Sequence, residues 1–129
     1  MVDIENLVEL GLEEFNHEIR PLLQHRGIES PVFEEVQWTG GVLEFRGGEQ
    51  VYRPWTVEDL RAKRYFYILK QALQLVEDWL GVAGSPEKVF ARPEFNDSLV
   101  VLMTNEMFER IRNRSSGLRC PVMPLASLA

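Results

Sequence analysis

The chain has a single cysteine, Cys120, and two histidines, His17 and His25, among its 129 residues. One cysteine excludes an intrachain disulfide, and Cys120 has no neighbouring histidine in the sequence to activate it as a nucleophile. An apolar run of about 18 residues, the length that predicts a membrane-spanning helix, is missing. The acidic start MVDIENLVEL lacks the basic region of a signal peptide. These absences predict a cytoplasmic protein of a reducing compartment.

Motifs that carry catalysis or bind cofactors are also scarce. Glu14 and His17 have the E-x-x-H spacing, but a di-metal carboxylate site needs a second copy, which the sequence lacks. The pairs Gly40-Gly41 and Gly47-Gly48 match no phosphate-binding loop and indicate turns instead. We therefore expect a protein that is not an enzyme and that has no cofactor and no metal site.

Charge is distributed unevenly along the sequence. Residues 1–50 hold 3 basic and 11 acidic side chains, a balance of −8, whereas residues 51–129 hold 11 basic and 9 acidic ones, a balance of +2. No carboxylate side chain follows Glu109, while four arginines do. Two interpretations stay open: the two poles pair with each other inside one fold, or the acidic pole is an interface for a basic partner.

The first helix is predicted from Asp3, a plausible N-cap, to about Arg20, where Pro21 ends or kinks it. Its apolar side chains recur at helical spacing and form one stripe. Glutamates line both sides of that stripe: Glu5, Glu9 and Glu13 on one side, Glu14 and Glu18 on the other.

The middle of the chain predicts three antiparallel strands over residues 32–38, 42–46 and 50–53, joined at glycine pairs. Thr56 with Asp59 then forms a capping-box signature, and one long, broadly apolar helix follows until Gly81 and Gly84.

The last part predicts two further strands, over residues 87–92 and 98–103, the second of them buried on both faces. A short helix over residues 105–113 follows, with Met107, Phe108 and Ile111 turned inward. The fold class is therefore α+β, with a predominantly antiparallel sheet packed against a long central helix. We expect one domain over residues 1–113 and an irregular C-terminal tail over residues 114–129. This α-β-β-β-α-β-β-α order resembles, in topology alone, that of the small acidic chaperones of bacterial type III secretion.

Taken together, these patterns are typical of a small acidic protein-binding module: an adaptor, chaperone, inhibitor or immunity-type protein of bacterial or phage origin. Its partner is expected to present a basic surface, met by carboxylates of the first helix and the first strand and by two exposed tryptophans. The predicted partner-binding residues are Glu5, Glu9, Glu13, Glu14, Glu18, Glu34, Glu35, Trp38 and Trp55.

Three alternatives remain. A small enzyme would need a pocket that holds Glu14, His17 and a basic group together. A homo-oligomeric assembly protein would pack the first helix or an edge of the strands against its own copy. A nucleic-acid-binding protein would use Arg61, Lys63 and Arg64, which precede Tyr65-Phe66-Tyr67. The helical pattern, however, assigns most of these rings to the buried side and pairs Asp59 with Lys63, and the net charge of −6 opposes a polyphosphate.

Overall fold

In a computed structural model of the chain, the structure describes residues 2–3, 12–29, 33–47, 50–93, 97–114 and 122–128. The strands are β1 (Val2–Asp3), β2 (Phe33–Thr39), β3 (Val42–Gly47), β4 (Gln50–Tyr52), β5 (Glu87–Pro93), β6 (Asp97–Thr104) and β7 (Met123–Pro124). The helices are α1 (Leu12–Gln24), α2 (Val57–Arg61), α3 (Tyr65–Val82) and α4 (Asn105–Arg114), and a 3₁₀ turn follows at Leu125–Ser127. The predicted α+β class is confirmed.

Strands β2, β3 and β4 form an antiparallel meander, as predicted. The β2–β3 hairpin turns at Gly40 and Gly41, whose φ angles of 58° and 82° are those of a two-residue turn that favours glycine at both positions. The tip of this hairpin docks onto the start of α2, because the Val57 amide donates to the Gly41 carbonyl at 2.8 Å.

Strands β5 and β6 form the centre of a second antiparallel sheet in the order β1-β6-β5-β7. Val100 and Leu102 enter the main core, whereas Met103 lies on the other face in a smaller cluster with Phe90 and Phe108. The prediction that β6 is buried on both faces is confirmed. The sequence predicted one sheet, whereas the described residues form two, because hairpin signals specify which strands are neighbours but not whether two hairpins join.

The first predicted helix differs from the structure at both ends. Asp3 lies in β1, and residues 4–11 lie outside the described part of the chain. Helix α1 continues through Pro21 to Gln24, beyond the predicted end. Leu23 is fully buried and so holds the last turn against the core. The helix then closes at Gly27, whose φ is 70°, with the Ile28 amide donating to the Leu23 carbonyl at 2.9 Å.

The long central helix is interrupted. The sequence predicted one helix from Val57 onward, but α2 ends at Arg61 and α3 begins at Tyr65. Lys63 lies between them with a φ of 56°, a left-handed conformation that no helical pattern in the sequence signals. Helix α3 keeps the central role, since it packs against β5 and supplies eight buried side chains to the main core.

The C-terminal segment also differs from the expected irregular tail. Strand β7 pairs with β5, with Phe90 opposite Pro124 and Ala91 opposite Met123. Val122, Leu125 and Leu128 are all buried. In α4, Phe108 is buried as predicted, but Met107 is half exposed, which corrects the prediction for that residue.

Candidate protein-binding surfaces

Strand β2 is an edge of the meander and presents two large apolar side chains to solvent. Trp38 pairs with Leu43 in the antiparallel register, so the two side chains share a face of the sheet. Leu43 is buried in the main core, whereas Trp38 is 47% exposed and Val36, two residues away, is 51% exposed. The face of the meander that packs on the core is therefore buried at the central strand β3, whereas along β2 its side chains are exposed to solvent. The exposure predicted for Trp38 is observed.

An irregularity in the register lies beside this open strip. The pairing shifts between Glu34, opposite Arg46, and Gln37, opposite Glu44, so that β2 has one more residue than β3 over this stretch. Such a bulge bends an edge strand and interrupts its row of free backbone groups. The side chains of β2 are consequently better placed for recognition than its backbone.

The outer face of the meander carries a network of paired charges. Arg46 donates to the Glu34 carboxylate at 2.9 Å, and Arg53 donates to Glu44 at 2.9 Å. The Gln37 amide also donates to Glu44, at 3.3 Å. The predicted binding residue Glu34 is therefore exposed but partly neutralised by Arg46.

The predicted glutamates of the first helix are described only in part. Glu5 and Glu9 lie outside the described residues, and the structure does not describe the side chains of Glu13, Glu14 and Glu35. Glu18 is half-buried on α1. The apolar stripe between the glutamates is confirmed where it is described, since Phe15, Ile19 and Leu23 are buried.

Two of the C-terminal arginines have partners on their own helix. Arg110 donates to Glu106 at 2.6 Å, and Arg112 pairs with Glu109. These ion pairs span one turn of α4. Two of the four arginines that follow Glu109 thus have a carboxylate partner on α4 itself.

Trp55 is 3% exposed, and the expectation that it is an exposed contact residue is wrong. Its carbonyl accepts the Leu43 amide at 3.0 Å, which ties the segment after β4 to the central strand of the meander. Its side chain then lies in the main core beside Leu43 and Phe45. The sequence shows that Trp55 lies between a proline and a threonine, but it does not show that this segment bonds to β3.

A second candidate surface is the segment that the sequence offered as an alternative nucleic-acid site and assigned mostly to the core and to surface ion pairs. All seven residues from Arg61 to Tyr67 are exposed. Tyr65, Phe66 and Tyr67 are 38%, 46% and 41% exposed, so the assignment of most of these rings to the buried side is wrong. The first fully buried residue of α3 is Ile68, because the first turn of the helix projects beyond the core. A signal was present: three consecutive helical residues point in directions about 100° apart and do not share one face.

The base of this second surface is a buried carboxylate. Asp59 accepts from Arg64 Nη1 at 2.8 Å and from the Thr56 amide at 2.9 Å, and its own amide donates to Thr56 Oγ1 at 3.1 Å. The predicted capping box is confirmed, but the ion pair is with Arg64 and not with Lys63, because the left-handed turn at Lys63 brings Arg64 back over α2. Burial raises the pKa of Asp59, yet the hydrogen bonds from Arg64 and Thr56 outweigh it and hold the pKa below its ordinary value.

Within the described ranges, no three histidine, cysteine, aspartate or glutamate side chains are grouped so as to hold a metal ion. None of the helices described here has the length and apolar character to cross a membrane. A groove of about 440 Å³ lies between α3, β5 and the C-terminal segment, with Lys70 and Lys88 on its walls.

Comparison with protein-family models, with curated proteins and with solved structures finds no match to this chain.

Proposed function

We propose that this protein is a cytoplasmic protein-binding module of the adaptor or inhibitor type, and that its partner presents a basic surface to β2 and the acidic first helix. The observation that carries the proposal is the open strip on β2, where Trp38 is half exposed on the same face as buried Leu43 and Val36 is half exposed two residues away. Large aromatic side chains held on a rigid sheet are frequent hot spots of protein interfaces.

The distribution of charge along the sequence supports the choice of partner. The first fifty residues carry a balance of −8, and Arg110 and Arg112 are paired within α4. A basic partner would be attracted by the excess negative charge and anchored by the apolar contact at Trp38. The role expected here is binding rather than catalysis.

The test uses a partner captured from an extract of the source organism and then purified. Trp38→Ala is expected to weaken binding by about thirtyfold, the effect of losing one interface hot spot. The matched control is Val82→Ala, since Val82 is 84% exposed at the end of α3 and lies outside the proposed strip. Binding is measured by biolayer interferometry at low and high salt.

Raising the salt concentration is expected to reduce the affinity, chiefly through a slower association rate, because screening removes the long-range attraction. An association rate that does not respond to salt would contradict the basic partner surface. An unchanged affinity for Trp38→Ala would contradict the role of β2.

The edge position of β2 also favours a second candidate, a homo-oligomer in which this strip packs against its own copy. Size-exclusion chromatography with light scattering separates the two. A stable dimer that Trp38→Ala dissociates would support the homo-oligomer, whereas a monomer at micromolar concentration would support binding to a different protein.

A further inference from the structure

The segment from Arg61 to Tyr67, which runs from the end of α2 to the first turn of α3, contains cations and aromatic rings in seven consecutive exposed residues. It contains Arg61, Lys63 and Arg64, followed directly by Tyr65, Phe66 and Tyr67. Among the described residues, the ion pair found in this segment is that between Arg64 and Asp59. Arg61 and Lys63 form no ion pair with a described side chain, so their charge is available to a ligand.

The backbone of this segment is held firmly by its surroundings. The capping box anchors Asp59 at the start of α2, and Asp59 in turn holds the Arg64 guanidinium. The Lys63 amide donates to the Leu60 carbonyl at 3.1 Å, and the Arg64 amide donates to the Asp59 carbonyl at 3.0 Å. A fixed turn presents its side chains with little loss of entropy on binding.

The residue types are those that are enriched at the centres of protein interfaces. Tyrosine, phenylalanine and arginine are over-represented there, and a half-exposed ring gains free energy when a partner removes it from water. The cations select a partner of opposite charge. The combination fits a protein segment that carries both carboxylates and apolar side chains.

A single-stranded nucleic acid fits this surface less well. The three rings are consecutive on a helix and point about 100° apart, so they do not form a platform on which successive bases stack. The net charge of −6 repels a polyphosphate at long range, while a short acidic segment carries fewer charges.

We propose that residues 61–67 form a second binding surface, specific for an acidic, partly apolar segment of another protein. The inference extends the proposed function: a module with a basic partner at β2 and an acidic partner here is an adaptor between two proteins. Each surface is tested with its own variants, so one can fail while the other stands.

The experiment places a photocrosslinking amino acid, p-benzoylphenylalanine, at position 67 of the full chain. The matched control carries it at position 82, near the opposite end of α3 and more exposed. After irradiation in an extract of the source organism, the crosslinked segment is identified by mass spectrometry and synthesised as a peptide. Its affinity for the protein is then measured by fluorescence anisotropy.

We expect a crosslink specific to position 67 and a peptide of net negative charge. The double variant Arg61→Glu, Lys63→Glu is expected to weaken peptide binding at least tenfold, as the loss of interfacial charge pairs does. The control variant Arg110→Glu, Arg114→Glu makes the same change in net charge on α4 and is expected to leave the affinity within about twofold, because its charges lie outside the surface.

Four outcomes would overturn the proposal. Three of them are equal crosslinking at positions 67 and 82, a crosslinked product that nuclease digests, and a peptide affinity that responds equally to the two double variants. The Trp38→Ala variant is carried through the same assay. Loss of the peptide with Trp38→Ala but not with the Arg61 and Lys63 variant would assign this partner to β2 and overturn the second surface.

Discussion

At the scale of single residues, Asp59 shows how a buried carboxylate is tolerated. Asp59 is 6% exposed. Its carboxylate accepts hydrogen bonds from the Thr56 amide and the Arg64 guanidinium, and its own amide donates to Thr56 Oγ1. Burial disfavours the ionised form, but the donors around it favour that form more strongly, so its pKa is lowered. Asp59 thereby joins α2 to the start of α3.

Because the pKa of Asp59 is lower in the folded protein than in the unfolded chain, its contribution to stability is present above pH 4 and is lost as the pH falls through the folded value. Asp59→Asn is expected to lower the free energy of unfolding at pH 7 by about 1 kcal/mol, the usual effect of losing a cap. Urea denaturation between pH 7 and pH 2.5 should show the difference from wild type shrinking below pH 4. If the difference in the free energy of unfolding between wild type and Asp59→Asn were constant with pH, the ionised carboxylate would not be what stabilises the fold. The control is Asp78→Asn, at an exposed residue of α3.

Lys63 has a φ of 56°, a conformation that a side-chain-bearing residue adopts at a cost and glycine adopts freely. Lys63→Gly is therefore expected to raise the free energy of unfolding by about 0.5 kcal/mol, after the larger entropy of the unfolded glycine chain is subtracted. Lys70→Gly, the same change inside α3, should lower it by about 1 kcal/mol. Thermal denaturation measures both, and a loss of stability with Lys63→Gly would show that the lysine side chain stabilises the turn.

At the scale of elements, charged side chains form hydrogen bonds with backbone groups at the two outer edges of the β5–β6 hairpin. Strands β1 and β7 are only two residues long and cover one part of each edge. On the β5 side, the Val89 amide donates to Glu77 Oε1 of α3 at 3.2 Å. On the β6 side, the Leu102 carbonyl accepts from Arg26 at 3.1 Å. Val89 and Leu102 are register partners, and since each bonds outward, this pair exchanges no hydrogen bond across the hairpin.

Arg26 donates hydrogen bonds to several acceptors at once. Its guanidinium contacts both carboxylate oxygens of Glu87, at 2.7 Å and 3.2 Å, as well as the carbonyls of Leu22 and Leu102. Arg26→Ala leaves a part-buried carboxylate and a strand carbonyl without this donor, and is expected to lower the free energy of unfolding by about 2–3 kcal/mol. Arg110→Ala, which breaks an exposed pair within α4, should change it by less than about 0.5 kcal/mol. Chemical denaturation measures the free energy of unfolding of both variants. If Arg26→Ala lowered it no more than Arg110→Ala does, the contacts of Arg26 would stabilise the fold no more than an exposed ion pair.

At the scale of the whole molecule, the last described residues close the core. Leu125 and Leu128 lie in the main cluster, while Val122 lies in the smaller cluster on the opposite face of the sheet. The segment 122–128 thus contacts both faces around the edge formed by β7. A segment with little periodicity in its sequence is in this way part of the fold.

Leu125→Ala is expected to lower the free energy of unfolding by about 2–4 kcal/mol, as truncation of a buried leucine does. Ser127→Ala, at an exposed neighbour, should stay within about 0.5 kcal/mol of wild type. Urea denaturation of both variants measures the difference. A Leu125→Ala protein as stable as wild type would show that the C-terminal segment is not docked in solution.

The sequence by itself determined the features that depend on neighbours along the chain. The glycine pair of the β2–β3 turn, the capping box of Thr56 and Asp59, and the alternation in β3 were predictable, because turns, caps and strand faces are properties of a few consecutive residues. The α+β class followed from their order.

At the edges of the sheets and the ends of the helices, only the tertiary structure decided which apolar side chains are covered. Trp38 and Trp55 were both predicted to be exposed, yet Trp55 is buried next to a segment bonded to the central strand of the meander, and Trp38 lies at the open edge. Tyr65 to Tyr67 belong to a helical pattern that continues into the core, but the first turn of α3 projects beyond it. Burial depends on contacts between elements that are distant in sequence, and those contacts separate the two candidate binding surfaces from the core.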